Sequence, residues 1–284
     1  MKIKKIVLAG LFLLSGLSIA SAQVKLSFNP EKGTKYEYRQ QMIQNAVAYV
    51  MGQDFEMVTE MNLVYQMEII DKSQEETHVK YTFKEVTYKT TNPMMSMGYD
   101  SKNADDKLFG KTIGQSFVLV IAPDGSVKSV TGLEEIAGSI SRAIPDGDML
   151  GEQVKQQFSA TSMKNAFEQA FKIYPKNAVK AGDKWNSEFV ETINGMNTSI
   201  KTNYTLKEFA GNVASIAVDS VVEMKASGNM DGKFTGKQTG TILVDTRTGI
   251  PASSDMIQKL KGEMNAQGYE LEMDMDSKVK TTIK

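Results

Sequence analysis

The sequence predicts a mainly β (α+β) protein: a large curved antiparallel sheet or half-barrel of long strands, built from two related halves, with a helical insert packed on the concave face. Three observations carry that prediction. Long stretches alternate apolar and charged residues, the periodicity turns helical in mid-chain, and two short phrases occur twice in the same order.

The first 22 residues are set apart. Lys2, Lys4 and Lys5 precede an apolar run from Ile6 to Leu14 and a small-residue site at Ala20-Ser21-Ala22, the three-part pattern of a secretory signal peptide. Cleavage would leave Gln23 as the first residue. No later segment reaches the roughly 20 apolar residues of a membrane helix, so no transmembrane helix is expected in the mature chain. The chain has no cysteine, hence none at the cleavage point to take a lipid. The expectation is an exported protein, periplasmic or extracellular and not lipid-anchored. Without disulfides, stability must come from a hydrophobic core, which a chain of this length can bury. Loss of the leader leaves 30 basic against 34 acidic side chains, and that mild acidity argues against a nucleic-acid partner.

Strands follow from period-two alternation. Phe55, Met57, Thr59, Met61, Leu63, Tyr65, Met67 and Ile69 share one face, whereas Asp54, Glu56, Glu60 and Glu68 share the other. At the C-terminus Tyr269, Leu271, Met273, Met275, Val279 and Ile283 oppose Glu270, Glu272, Asp274, Asp276, Lys278 and Lys280. At ~3.3 Å per residue each such strand would run roughly 50 Å, which suits a large, twisted sheet. Further strands are expected at 34–49, 78–89, 116–122, 126–131, 185–194, 198–208, 213–225, 238–245 and 252–263. Short turn signals such as Asp124-Gly125, Asn194-Gly195 and Thr248-Gly249 imply antiparallel neighbours.

Gly33-Thr34-Lys35-Tyr36 is echoed by Gly182-Asp183-Lys184-Trp185, and Val118-Leu119-Val120 before Asp124-Gly125 by Ile242-Leu243-Val244 before Thr248-Gly249. A duplication follows, its first copy lengthened by a loop from Thr91 to Gln115. Tyr36 and Trp185 occupy matching places and are read as core plugs. Between the copies, Leu133, Ile136, Ala137, Ile140 and Ile144 fall on one helical face after a capping box from Thr131 to Glu134. A second apolar face carries Val154, Phe158, Met163, Ala166, Phe167, Ala170 and Phe171 and stops at Tyr174-Pro175. The predicted organisation is a signal peptide (1–22), a first β half (23–131), a helical insert (132–175) and a second β half (176–284), the halves forming one continuous domain.

Tyr174-Pro175, the phrase Val179-Lys180-Ala181-Gly182-Asp183-Lys184-Trp185 and the opening Lys32-Gly33-Thr34-Lys35-Tyr36, with helices between, resemble a family of exported domain-of-unknown-function proteins common in Bacteroidetes. The resemblance spans nearly the whole mature chain and implies no catalytic residue, since the family has no assigned activity. The architecture is also similar to that of periplasmic lipoprotein carriers, an analogy of fold alone.

Chemistry-bearing residues are sparse. His78 is the sole histidine and is read as a solvated hairpin residue. One histidine and no cysteine exclude a Cys-His dyad and the common zinc sites, and there is no Gly-x-Ser-x-Gly elbow. Gly110-Lys111-Thr112 resembles the end of a phosphate loop but has Asp105 where the first glycine belongs. The acidic row at Glu270, Glu272, Asp274 and Asp276 is read as a solvated face, and Asp100 to Asp106 as a poor calcium loop because Lys102 and Ala104 take ligand places. No catalytic residue, metal or cofactor is expected.

The compositional oddity is 18 methionines. Three of them, Met94, Met95 and Met97, cluster, but the His and Cys that would join them on copper are absent. Methionine fills irregular cores and lines surfaces for varied apolar partners. The expected function is a non-enzymatic envelope protein that holds a lipid, acyl chain or apolar peptide in the hollow of its sheet. Met57, Met61, Tyr65, Met67, Phe167, Phe171, Met273 and Met275 are the candidate lining residues. The alternative is a structural or protein-interaction module with a packed interior and an envelope protein partner; an enzyme is the third class.

Overall fold

The alternating stretches become strands, and the strands make one sheet. A computed structural model describes residues 23–50, 52–103, 112–141, 159–193, 196–226, 231–266 and 269–284. The proposed leader, Gly110 and Lys111, residues 104–106 of the Asp100 to Asp106 segment, Ile144, Val154 and Phe158 of the helical faces, and Asn194-Gly195 lie outside the described residues. In chain order the strands are β1 (Lys35–Val50), β2 (Gln53–Lys72), β3 (Thr77–Asn92), β4 (Met95–Asp100), β5 (Ser116–Ile121) and β6 (Val127–Thr131). After the helices α1 (Leu133–Ser141) and α2 (Ala160–Phe171) come β7 (Lys184–Ile193), β8 (Met196–Ala210) and β9 (Val213–Ala226). The chain ends with β10 (Asp231–Asp245), β11 (Pro251–Ala266) and β12 (Tyr269–Ile283).

The strand order is β6-β5-β3-β2-β1-β12-β11-β10-β9-β8-β7, with β4 paired to β3, so the sheet is open and its edges are β6 and β7. Two meanders of five strands flank β12, which pairs with β1 on one side and β11 on the other. The meanders begin alike. Gly33 donates its N–H to the Ile69 carbonyl while the Ile69 N–H bonds to Thr34, and Gly182 repeats this with Leu206, which bonds in turn to Asp183. Both β5–β6 and β10–β11 turn at a glycine with positive φ, Gly125 and Gly249.

The segments leading into β1 and β7 cross over. The first arm lays Ser27 against Gly249 of the second half, and the end of α2 lays Phe171 against Gly125 of the first; a Cβ at either glycine would overlap the backbone passing it. The arms also pair with each other at Val24 and Val179. Leu26 and Phe28 of the first arm are buried, sealing the end of the sheet where these turns lie.

Three features depart from the sequence expectation. The segment from Thr91 to Gln115 contains a hairpin strand, β4, which is short, preceded by Pro93 and interrupted by Gly98, and so lacks visible alternation. β10 starts at Asp231 rather than near 238. Among the described residues the two helices also occupy separate places: Leu133 and Ile136 of α1 join the core beside β5, and α2 overlies the hollow.

Candidate functional site: the hollow of the sheet

Curvature on the concave face comes from glycine set opposite bulk. Gly236 pairs with Leu260, Gly240 with Met256 and Gly262 with Phe234. At Gly236 an added Cβ would overlap the Lys259 carbonyl oxygen, so β10 and β11 fold in closer than two side-chain-bearing strands can. With the sheet curled there, the two meanders face each other across a space.

At the sealed end that space is filled by aromatic rings. Tyr38, Tyr65 and Tyr81 lie with ring centroids 5.8 to 6.2 Å apart, and Tyr81 stacks on Phe117 at 5.4 Å. The Tyr81 hydroxyl donates to the Met67 sulfur at 3.5 Å. Burial raises the pKa of the Tyr38 phenol to about 12 and those of Tyr65 and Tyr81 further. In the second half Trp185 stacks on Tyr204 and donates its indole N–H to the Ile173 carbonyl at 2.8 Å. Tyr36 is half-buried and packs on the first cluster.

Above the aromatic floor the space stays open, with a volume of about 820 Å³. Met42, Met57 and Met61 line it from the first half, Ile200, Val218 and Met256 from the second, and Met163, Phe167 and Phe171 of α2 from above. α2 is held by its own chemistry: Ser159 caps it by accepting from the Ser162 N–H, and Phe167 and Phe171 anchor it in the core. Thus Met57, Met61, Tyr65, Phe167 and Phe171 border the hollow. Met67 faces the same side but is completely enclosed in the core. Met273 and Met275 lie on the concave side of β12 outside the lining, Met275 packing near Leu260 and Ile200.

The polar residues singled out from the sequence lie elsewhere. His78 is half-exposed, with its Nε2 3.1 Å from Glu76, and the Lys128 ammonium and the His78 ring together lower the pKa of Glu76. Asp274 and Asp276 are on the convex face opposite Lys261 and Lys259, at 2.7 and 3.7 Å. Met94 is exposed at the β3–β4 turn. What sequence reasoning missed is the neutral polar component of the lining, including Gln44, Gln238, Thr202 and Ser220; each interrupts the apolar face of its strand without altering the alternation around it.

No described helix is long and apolar enough to cross a membrane. No curated protein matches the sequence. A family model described as a family of unknown function, DUF6263, matches residues 74–251, more than half of the chain. Among solved structures, one of lipovitellin, described for its lipid–protein interactions, is similar with a TM-score of 0.52 at 9% identity. It covers 89% of this chain, which spans only 25% of that protein. Two further structures also align: OccK7 of Pseudomonas aeruginosa at 6% identity, covering 89% of this chain and 99% of its own, and an outer membrane channel from Pseudomonas putida F1 at 7%, covering 90% and 98%. Their TM-scores of 0.26 and 0.21 fall short of a shared fold.

Proposed function

The chain belongs to the DUF6263 family, whose function is unknown, and we propose that it is a non-enzymatic exported protein that holds a lipid or acyl chain between its sheet and α2. The observation that carries this reading is the open space of about 820 Å³ with predominantly apolar walls, at the upper end of the range for small-molecule pockets. A dry interaction module would fill that volume with side chains, because interiors pack to crystal density. The likeness of fold to lipovitellin points the same way, as analogy only.

Protein purified from its own host should carry an apolar molecule, seen as a mass increment in native mass spectrometry that solvent extraction removes. A clean unliganded mass together with no uptake of an apolar fluorescent probe would sink the reading. Export is proposed from the first 22 residues; the envelope fraction should then yield a chain starting at Gln23, and an intact Met1 form confined to the cytoplasm would overturn it.

A further inference from the structure

Residues paired across neighbouring strands form rows perpendicular to the strands, and one row on the concave face is polar and uncharged throughout. Gln238 of β10 lies opposite Ser220 of β9, which faces Thr202 of β8 and, beyond it, Ser187 of β7. In the other direction Gln238 faces Gln258, followed by Ser277 and Gln44, and the row continues through Thr59 to Thr90. Nine strands therefore contribute nine side chains that both donate and accept hydrogen bonds.

The rows on either side are apolar. Toward the aromatic floor lie Val218, Met256, Val279, Met42 and Met61; toward the rim lie Ile200, Val222, Leu260, Met275 and Met57. Each is two residues along the strand from the polar row, about 7 Å. Placing hydroxyls and amides in an apolar wall costs free energy unless they are bonded. Some bond to each other: Thr59 to Thr90 at 2.6 Å and Thr202 to Ser220 at 2.9 Å. The Gln238 amide has no hydrogen-bond partner among the described residues and borders the hollow.

Charge is accounted for in pairs. Among the described residues, those that border the hollow and carry charge are Glu168, Lys172 and Glu188. Lys172 bonds Glu168 at 2.9 Å, and Glu188 lies 3.8 Å from Lys201. Among the described residues no unpaired cation is offered to a phosphate or a carboxylate, whereas donors for ester carbonyls stand in a line with grease on both sides.

We propose that the ligand is an uncharged ester lipid of the acylglycerol type, its ester groups on this polar belt and its acyl chains along the apolar rows to either side. The proposal rests on the lipid-holding reading above and specifies its ligand. The test uses the full mature protein loaded with a pyrene-labelled alkane, displaced by dioctanoylglycerol or by dioctanoylphosphatidate. The neutral diester should displace the probe at a concentration at least tenfold lower than the anionic one. Gln44→Leu with Gln238→Leu should weaken the diester about tenfold relative to the alkane, as expected for two lost hydrogen bonds of ordinary strength, with the alkane's own affinity measured directly on the variant and not reduced. Thr202→Val, nearly isosteric, should act in the same direction should the double variant fold poorly. Equal competition by the two competitors, or variants that leave the diester's advantage intact, would overturn the belt and leave the lipid-holding reading standing. Failure of the wild-type protein to bind the alkane at all would overturn both.

Discussion

Tyr38, Tyr65 and Tyr81 show how burial couples to pH at the residue scale. Desolvation disfavours the phenolate, so the folded-state pKa of each lies above the value of about 10 expected in the unfolded chain. A group whose pKa rises on folding contributes stability that is complete below the unfolded pKa and is lost as pH climbs toward the folded one. The protein should therefore hold its stability up to about pH 10 and lose it progressively above, with Tyr38 alone accounting for about 2–3 kcal/mol by pH 12. Alkaline titration followed by tyrosinate absorbance should show these three ionising together with loss of near-ultraviolet circular dichroism; ionisation at about pH 10 in a protein that stays folded would contradict it. The same residues mark what alternation reveals. Period two places Met57, Met61, Tyr65 and Met67 on one face, but it carries no information about depth. Met67 is sealed beneath the Tyr81 hydroxyl while Met61 opens on the hollow.

Among the elements, β10 has the most distinctive role. Its Gly232, Gly236 and Gly240 recur every four residues on the concave side, and that small-residue stripe bends the sheet. Gly236→Val would drive side-chain atoms into the Lys259 carbonyl, and a destabilisation of about 3 kcal/mol is expected from the forced backbone shift. A urea unfolding midpoint equal to that of the wild type would count against glycine as the source of the curl. These glycines also explain why the strand's first seven residues read as loop: glycine lowers strand propensity, and the compensating bulk sits on β11, far along the chain. β4 is hidden for a similar reason, since only its pairing with β3 makes it a strand. The polar belt is less legible still, because a hydrogen-bonding residue within a strand is unremarkable until the register aligns nine of them in one row. The helical periodicity is readable, yet which helix covers the hollow depends on where β6 releases the chain.

For the whole molecule, the repeated Gly33 and Gly182 phrases are legible because each makes the same turn and the same two backbone bonds. The crossing of the arms is not, since nothing in the sequence says that Ser27 will lie on Gly249. Between the meanders stands β12, with β1 and β11 as its neighbours. Deleting residues 269–284 would strip two long edges at once and part the halves. The truncated chain should aggregate or elute as an expanded species without a cooperative thermal transition, whereas the intact protein should melt in one step; a soluble truncated form with a sharp melt would show that each half stands alone. β12 is thus the keystone of an arch, loaded from both flanks at once. A pull on either flank is passed to the other through it, so the chamber they wall should yield as a unit and not from one side.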